Sequence, residues 1–267
     1  MKTVHQLVDL KGRVALITGG AGHLGYAMAQ AMAQAGASVI LLDVDEAAAQ
    51  RKARELARKY KVKAVALAAD LADPDALSGI PRFIQKKMKR LDILINCAAL
   101  VGTSHLKGWA VPFERQDIGT WRRAMEVNLT GVFALIQKCH PLLKKHNTGS
   151  VINIASIYGF LGPDMNLYKG TGLGNPAAYA ASKGGIIQLT RWLATNLAPQ
   201  VRVNTISMGG VFRNHKNPFL SRYVAKTPLH RMAVEEDILG AAVYLASDLS
   251  KYVTGHNLVV DGGLSAW

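Results

Sequence analysis

The sequence predicts a single α/β domain spanning residues 1–267, a doubly wound parallel sheet of about seven strands with helices on both faces. Three observations carry that prediction. Strand-length apolar runs alternate with helix-length amphipathic segments along the whole chain, with no linker and no internal repeat. The runs are apolar throughout, as strands buried on both faces are. The glycines and polar residues that stand out fall at the C-terminal ends of those runs, where open parallel sheets bind ligands.

Each element has its own justification. Arg13–Thr18 is an apolar run that ends at the glycine cluster Gly19–Gly25. Leu24, Ala27, Met28, Ala31, Met32 and Ala35 then recur at helical spacing until Gly36. Ser38–Asp43 is the second strand and ends in an acid; Asp43, Asp45 and Glu46 precede a helix over Glu46–Tyr60. Val62–Ala68 is the third strand, Pro74–Arg90 a helix and Leu91–Asn96 the fourth strand. A long loop, Leu100–Asp117, leads to one long helix over Ile118–His146. The fifth strand, Ser150–Ala155, ends at Ser156, and a loop over 157–176 precedes the helix Ala178–Leu197. Val201–Ile206 is the sixth strand, Arg213–Lys226 a mobile lid segment near the substrate, Glu235–Ser247 a helix and Leu258–Val260 the closing strand.

Composition narrows the function classes. The chain is 49% hydrophobic, yet no run approaches the roughly eighteen apolar residues of a membrane span. The polar stretch Met1–Gly12 lacks the apolar centre of a signal peptide. A cytoplasmic protein with no membrane partner is expected. Cys97 and Cys139 show no paired or metal-ligand spacing, so no metal and no disulfide are expected. The formal charge of +14 is spread over helical segments such as Arg51–Lys63 and Lys86–Arg90, with no basic tail and no nucleic-acid motif. Specific nucleic-acid binding is therefore not expected, although the charge suits anionic ligands in general.

Two constellations carry chemistry. Tyr179 and Lys183 lie four residues apart in an Ala-rich run, hence on one helix face. A cation beside a phenol favours the phenolate, which makes Tyr179 a proton donor and acceptor near neutral pH. The strand–glycine loop–helix over Arg13–Ala35 is the context of a dinucleotide cradle, in which glycines let the backbone approach a pyrophosphate at a helix N-terminus. Asp43 lies where a carboxylate holds the adenosine ribose and repels a 2′-phosphate, which favours NAD over NADP.

Assembled, these residues resemble the short-chain dehydrogenase/reductase family along nearly the whole chain. Thr18 to Gly25 resembles its T-G-x-x-x-G-x-G loop, Asp70-Leu71 its adenine-contacting acid and Asn96-Cys97-Ala98-Ala99 its N-N-A-G turn. Asn128, Ser156, Tyr179 and Lys183 match its catalytic tetrad, Met208 to Val211 its P-G loop and Val260 to Gly263 its closing strand. The resemblance implies a single-domain Rossmann fold with NAD(P) held by Gly19, Gly22, His23, Leu24, Gly25, Asp43, Asp70, Leu71, Asn96, Ala98, Tyr179, Lys183, Gly209 and Val211. It implies that Ser156 holds the substrate oxygen, Tyr179 moves the proton, Lys183 binds the nicotinamide ribose and Asn128 places a water. Five residues depart from the pattern: His23, Cys97, Ala99, Met208 and Arg213.

The 157–176 loop, together with Leu100–Asp117, is an expected seat of substrate choice, with Ser156, Tyr158, Tyr168 and Tyr179 facing the substrate and Asp164, Asn166 and Lys169 as further polyol partners; the alternative is an insertion that packs on the surface or on a neighbouring subunit. Its sequence, with Gly209–Phe212 and Asn217–Leu220, resembles dehydrogenases of flagellin modification and surface-sugar synthesis. The expected reaction is hydride transfer between NAD and a secondary alcohol or ketone, with a sugar or nucleotide-linked sugar as the suggested substrate. A 3-oxoacyl or small cyclic alcohol/ketone reductase is the alternative enzyme, and a dinucleotide-binding sensor or scaffold the non-enzyme reading. The family resemblance implies a homo-oligomer, a tetramer or dimer, formed through Ile118–His146 and Ala178–Leu197.

Overall fold

The computed structural model describes residues 1–102 and 104–267. After a short helix α1 (Val4–Val8), strands and helices alternate as β1 (Val14–Thr18), α2 (His23–Gln34), β2 (Ser38–Asp43), α3 (Glu46–Tyr60), β3 (Ala64–Ala68), α4 (Pro74–Lys87) and β4 (Ile93–Asn96). The second half adds α5 (Ile118–Met125), α6 (Gly131–Leu143), β5 (Gly149–Ser156), α7 (Ala177–Leu197), β6 (Val201–Met208), α8 (Phe219–Lys226), α9 (Glu236–Ala246) and β7 (Asn257–Val260). The seven strands form one sheet in the order β3-β2-β1-β4-β5-β6-β7, parallel in every pairing.

Alternate side chains of each strand feed two cores, which explains why the runs are apolar throughout. Leu16, Leu94 and Val151 pack against α4, α6 and α7 through Ile80, Leu135 and Ile186. Ile17, Ile95 and Ile152 pack on the other face against α2, α3 and α9 through Met28, Leu56 and Leu245. Each such fully buried aliphatic side chain contributes roughly 1.5–3 kcal/mol of transfer free energy. Strand order reverses between β1 and β4, which opens a crevice beyond their C-terminal ends.

Apart from shifts of up to three residues at element ends, such as α4 stopping at Lys87, three segments differ from the sequence expectation. The stretch Ile118–His146 is helical but not uniform: a π-turn over Glu126–Thr130 separates α5 from α6. Periodicity does not reveal one extra residue in a turn, and π-turns of this kind gather at functional sites. The 213–226 segment is half helix, because Phe219 and Tyr223, one turn apart on α8, are buried. Strand β6 extends to Met208, paired with β5 through Ser156.

Candidate active site

The glycine loop after β1 is shaped by contacts that leave no room for side chains. A Cβ on Gly25 would sit 2.1 Å from the Gly19 carbonyl oxygen. Gly19 itself has φ +62°, and a Cβ there would meet the Ala98 Cα at 3.0 Å. The Thr18 hydroxyl accepts the N–H groups of Cys97 and Ala98 at 3.0 and 3.1 Å, locking the turn after β4 against the loop. Helix α2 starts at His23 behind Gly22, with no side chain capping its N–H groups. Asp43, at the end of β2, accepts the Ala21 N–H at 2.9 Å and the Asp45 N–H at 3.1 Å. A loop that only glycine can form, an uncapped helix start and a carboxylate beside it fit a dinucleotide.

A cavity of about 610 Å³ lies beyond the strand ends. Gly19, Gly22, His23, Leu24, Gly25 and Ala98 line its loop side. Ser156, Tyr158, Tyr168, Tyr179, Lys183, Gly209 and Val211 line the remainder. The structure thus brings together most of the residues singled out in the sequence. Asp43, Asp70, Leu71, Asn96 and Asn128 stand outside this cavity. Asp70 is held by Arg123 at 2.6 Å, and Leu71 is part of the core. The Asn96 amide turns inward and donates to Asn153 at 2.8 Å, which in turn donates to Thr190 at 2.9 Å.

Asn128 sits in the π-turn and is fully buried. It accepts the Leu100 N–H at 2.7 Å and donates to the Leu100 carbonyl at 3.0 Å and the Ser182 hydroxyl at 3.1 Å. It therefore ties the loop after β4 to α7, next to Lys183. The Lys183 ammonium donates to the Ile154 carbonyl at 2.7 Å and lies 5.7 Å from the Tyr179 ring centre. Burial draws its pKa down to about 8, with Cys97 opposing the shift. Burial likewise pushes the Tyr179 phenol up, partly offset by the Ser156 hydroxyl. This corrects the expectation that Lys183 lowers the phenol. Among the protein's own groups desolvation wins, and Tyr179 is held as the neutral acid.

The far wall sorts the loop residues further. The Tyr158 and Tyr168 hydroxyls bond each other at 2.8 Å inside the cavity. Asp164 is instead paired with Lys226, and the backbone carbonyls of Asn166 and Lys169 accept from Arg222 at the surface. Residues not anticipated are Asn175, His215, Phe219 and Tyr223, all lining the cavity. The Tyr223 hydroxyl accepts the Gly210 N–H and so fixes the loop after β6. The Phe219–Tyr223 spacing of four was the available signal for this apolar helix face. At the cavity mouth Glu235 pairs with Arg213 at 3.0 Å and lies 3.7 Å from His23, which links three of the loop regions.

Comparison with known proteins places this geometry among relatives. The family model described as enoyl-(acyl carrier protein) reductase matches residues 19–265. The chain is 34% identical to trans-4-hydroxycyclohexanecarboxylate dehydrogenase of Sinomonas cyclohexanicum, over 95% of this chain and 93% of that one. A gluconate 5-dehydrogenase of Burkholderia cenocepacia, solved with NADP and tartrate, superposes with a TM-score of 0.88 at 27% identity, covering 99% of this chain and 100% of its own. A short-chain dehydrogenase of Leptospira borgpetersenii with bound NAD+ superposes with a TM-score of 0.84 at 34% identity, covering 99% and 96%.

Proposed function

The chain belongs to the short-chain dehydrogenase/reductase family, and from that premise we propose how its residues divide the work of an alcohol/ketone oxidoreductase. The observation that carries this reading is one cavity that holds the glycine cradle together with Ser156, Tyr179 and Lys183. The dinucleotide, when bound, supplies or accepts the hydride. Gly19, Gly22, His23, Leu24 and Gly25 would hold its phosphates, Gly209 and Val211 would border its nicotinamide, and Ala98 lines the cavity between them. Asp70 would complete the adenine side, with Leu71 behind it in the core, and the backbone turn after Asn96 would border the cofactor. Ser156 holds the substrate oxygen. Tyr179, kept neutral by burial, would donate its proton to a ketone oxygen on reduction; on oxidation it would first give up its phenol proton to solvent by way of Lys183, and the phenolate would then take the proton of the alcohol. Lys183, fixed by Ile154, would orient the ribose and restore the Tyr179 proton, while Asn128 holds the π-turn against Leu100 and Ser182, beside Lys183.

NAD is the preferred cofactor in this reading, supported by the Asp43 carboxylate at the end of β2. Lys52, a cation beside the glycine loop, already donates to the Ala21 carbonyl at 2.7 Å and lies over the Tyr26 ring. The protein works as a homo-oligomer, supported by exposed Phe133 on α6 and Trp192 on α7, with the apolar end at Trp267 as a second contact. No helix among the described residues is long and apolar enough to cross a membrane. The direct test is a fluorescence titration with NADH and NADPH, followed by a screen of sugars, cyclic alcohols and 3-oxoacyl thioesters. Tighter NADH binding and turnover of a secondary alcohol support the reading; turnover of acyl thioesters alone overturns its substrate part.

A further inference from the structure

We propose that Tyr158, Tyr168 and Asn175 form a hydroxyl-recognising subsite, so that the substrate is a small polyol carrying a second hydroxyl besides the one oxidised. The inference rests on the alcohol dehydrogenase reading and deepens it. Three observations carry it.

The first is the hydrogen-bond inventory of the tyrosine pair. Two phenols contain two O–H donors, and the 2.8 Å bond between them uses one. The other O–H remains available, on a pair that lines the cavity. The second observation is Asn175. Its side-chain oxygen is buried and has no hydrogen-bond partner among the described residues. Its amide lies beside the Tyr168 hydroxyl and works against the rise that burial imposes on that phenol. The spare phenol O–H is a donor from which a second substrate hydroxyl can accept, and the Asn175 amide holds the phenol pair that offers it. A monoalcohol brings no oxygen to that place and leaves the donor unmatched.

The third observation is position. Tyr158 follows Ser156 by two residues, and its N–H donates to the Ser156 hydroxyl at 3.2 Å. Asn175 precedes Tyr179 by four residues. The subsite is thus tied at both ends to the two residues proposed to hold the reacting oxygen. Beside it the Phe219 ring stands 5.5 Å from Tyr168 and 5.8 Å from Tyr223, an aromatic wall of the kind that packs against the C–H face of a sugar or cyclohexane ring.

The test compares matched pairs in the cofactor-saturated, full-length protein: a vicinal cyclohexanediol against cyclohexanol, and sorbitol against a straight-chain secondary alcohol. The diol-to-monoalcohol ratio of kcat/KM is read for the wild type and for Tyr168→Phe and Asn175→Leu, each checked for retained dinucleotide binding by fluorescence. The expected wild-type ratio is at least about tenfold in favour of the polyol, falling towards about one in both variants. A wild-type ratio near unity, or variants that lower both substrates equally, overturns the subsite and leaves the dehydrogenase reading intact. Reduction of 3-oxoacyl thioesters with turnover of none of the four alcohols likewise overturns the subsite alone, whereas dinucleotide binding with no turnover of alcohols, sugars or thioesters overturns the dehydrogenase reading and the subsite with it.

Discussion

Replacing Lys183 by Met is expected to stabilise the protein at neutral pH while removing its turnover. Lys183 is 4% exposed, and burial lowers its pKa from 10.5 to about 8. The unfolded chain therefore holds this proton to higher pH than the folded one, and wild-type stability rises with pH between the two values. At about 1.4 kcal/mol per pKa unit the window is worth roughly 3 kcal/mol, of which about 2–3 kcal/mol develops between about pH 7 and pH 10. Near pH 7 the protonated lysine carries that whole desolvation cost. Its bond to Ile154 returns only about 1 kcal/mol, so Lys183→Met should be more stable by about 1–2 kcal/mol. Towards about pH 10 the lysine folds in neutral and the difference should vanish or reverse. Urea unfolding of both proteins at the two pH values measures it, because other titrating groups cancel in the difference. A stability gap that stays constant with pH would refute the argument, since it would mean that Lys183 keeps its proton equally well folded and unfolded.

Gly25→Ala should keep the fold, as judged by circular dichroism, and weaken NADH binding at least about tenfold in a fluorescence titration, because its Cβ would strike the Gly19 carbonyl at 2.1 Å. Tyr179→Phe should lower kcat by about 10²–10⁴ with little change in cofactor affinity, a split that steady-state kinetics and titration together resolve. Asp43→Ala should narrow the preference for NADH over NADPH and also soften the glycine loop, because it frees the Ala21 N–H; parallel titrations with the two cofactors read both effects. Asn153→Leu should cost about 1–3 kcal/mol in urea unfolding, since it strands the Asn96 amide in the core and leaves the Thr190 hydroxyl with Thr205 alone.

The strands were legible because burial on both faces imposes a simple apolar pattern, and β1, β2 and β4 stand within two residues of where that pattern puts them. The glycine loop was legible for a different reason: its backbone path excludes side chains, so the requirement is written as residue type. The π-turn was not. Its cause is the Asn128 side chain bonding Leu100 and Ser182, contacts made across 28 and 54 residues of chain. The titration of Tyr179 was misjudged for a similar reason. Spacing on a helix shows that Lys183 is near, but the loss of water around both groups depends on what the whole fold packs over them. Tyr158 and Tyr168 were foreseen individually, whereas their mutual bond and the company of Asn175 required the loop's path.

Chemistry and selectivity are carried by different kinds of structure. Ser156 ends the fully buried strand β5, Tyr179 and Lys183 stand on the first turns of α7, and Asn128 is clamped between a loop and that helix. Each is fixed by backbone groups or by residues of the core, so none can move without disturbing the sheet. Tyr158, Tyr168 and Asn175 all lie within the 157–176 connection, which contributes short 3₁₀ turns and a single buried leucine, Leu167, to the hydrophobic cluster beneath it. On the proposed roles, changes in that connection should alter what the cavity recognises at small cost to the fold, and changes at Ser156, Tyr179 or Lys183 should alter the reaction itself. If this division holds, substrate choice in this chain can change in the residues that only the folded loop brings together while the sheet and the proton-handling residues stay as they are.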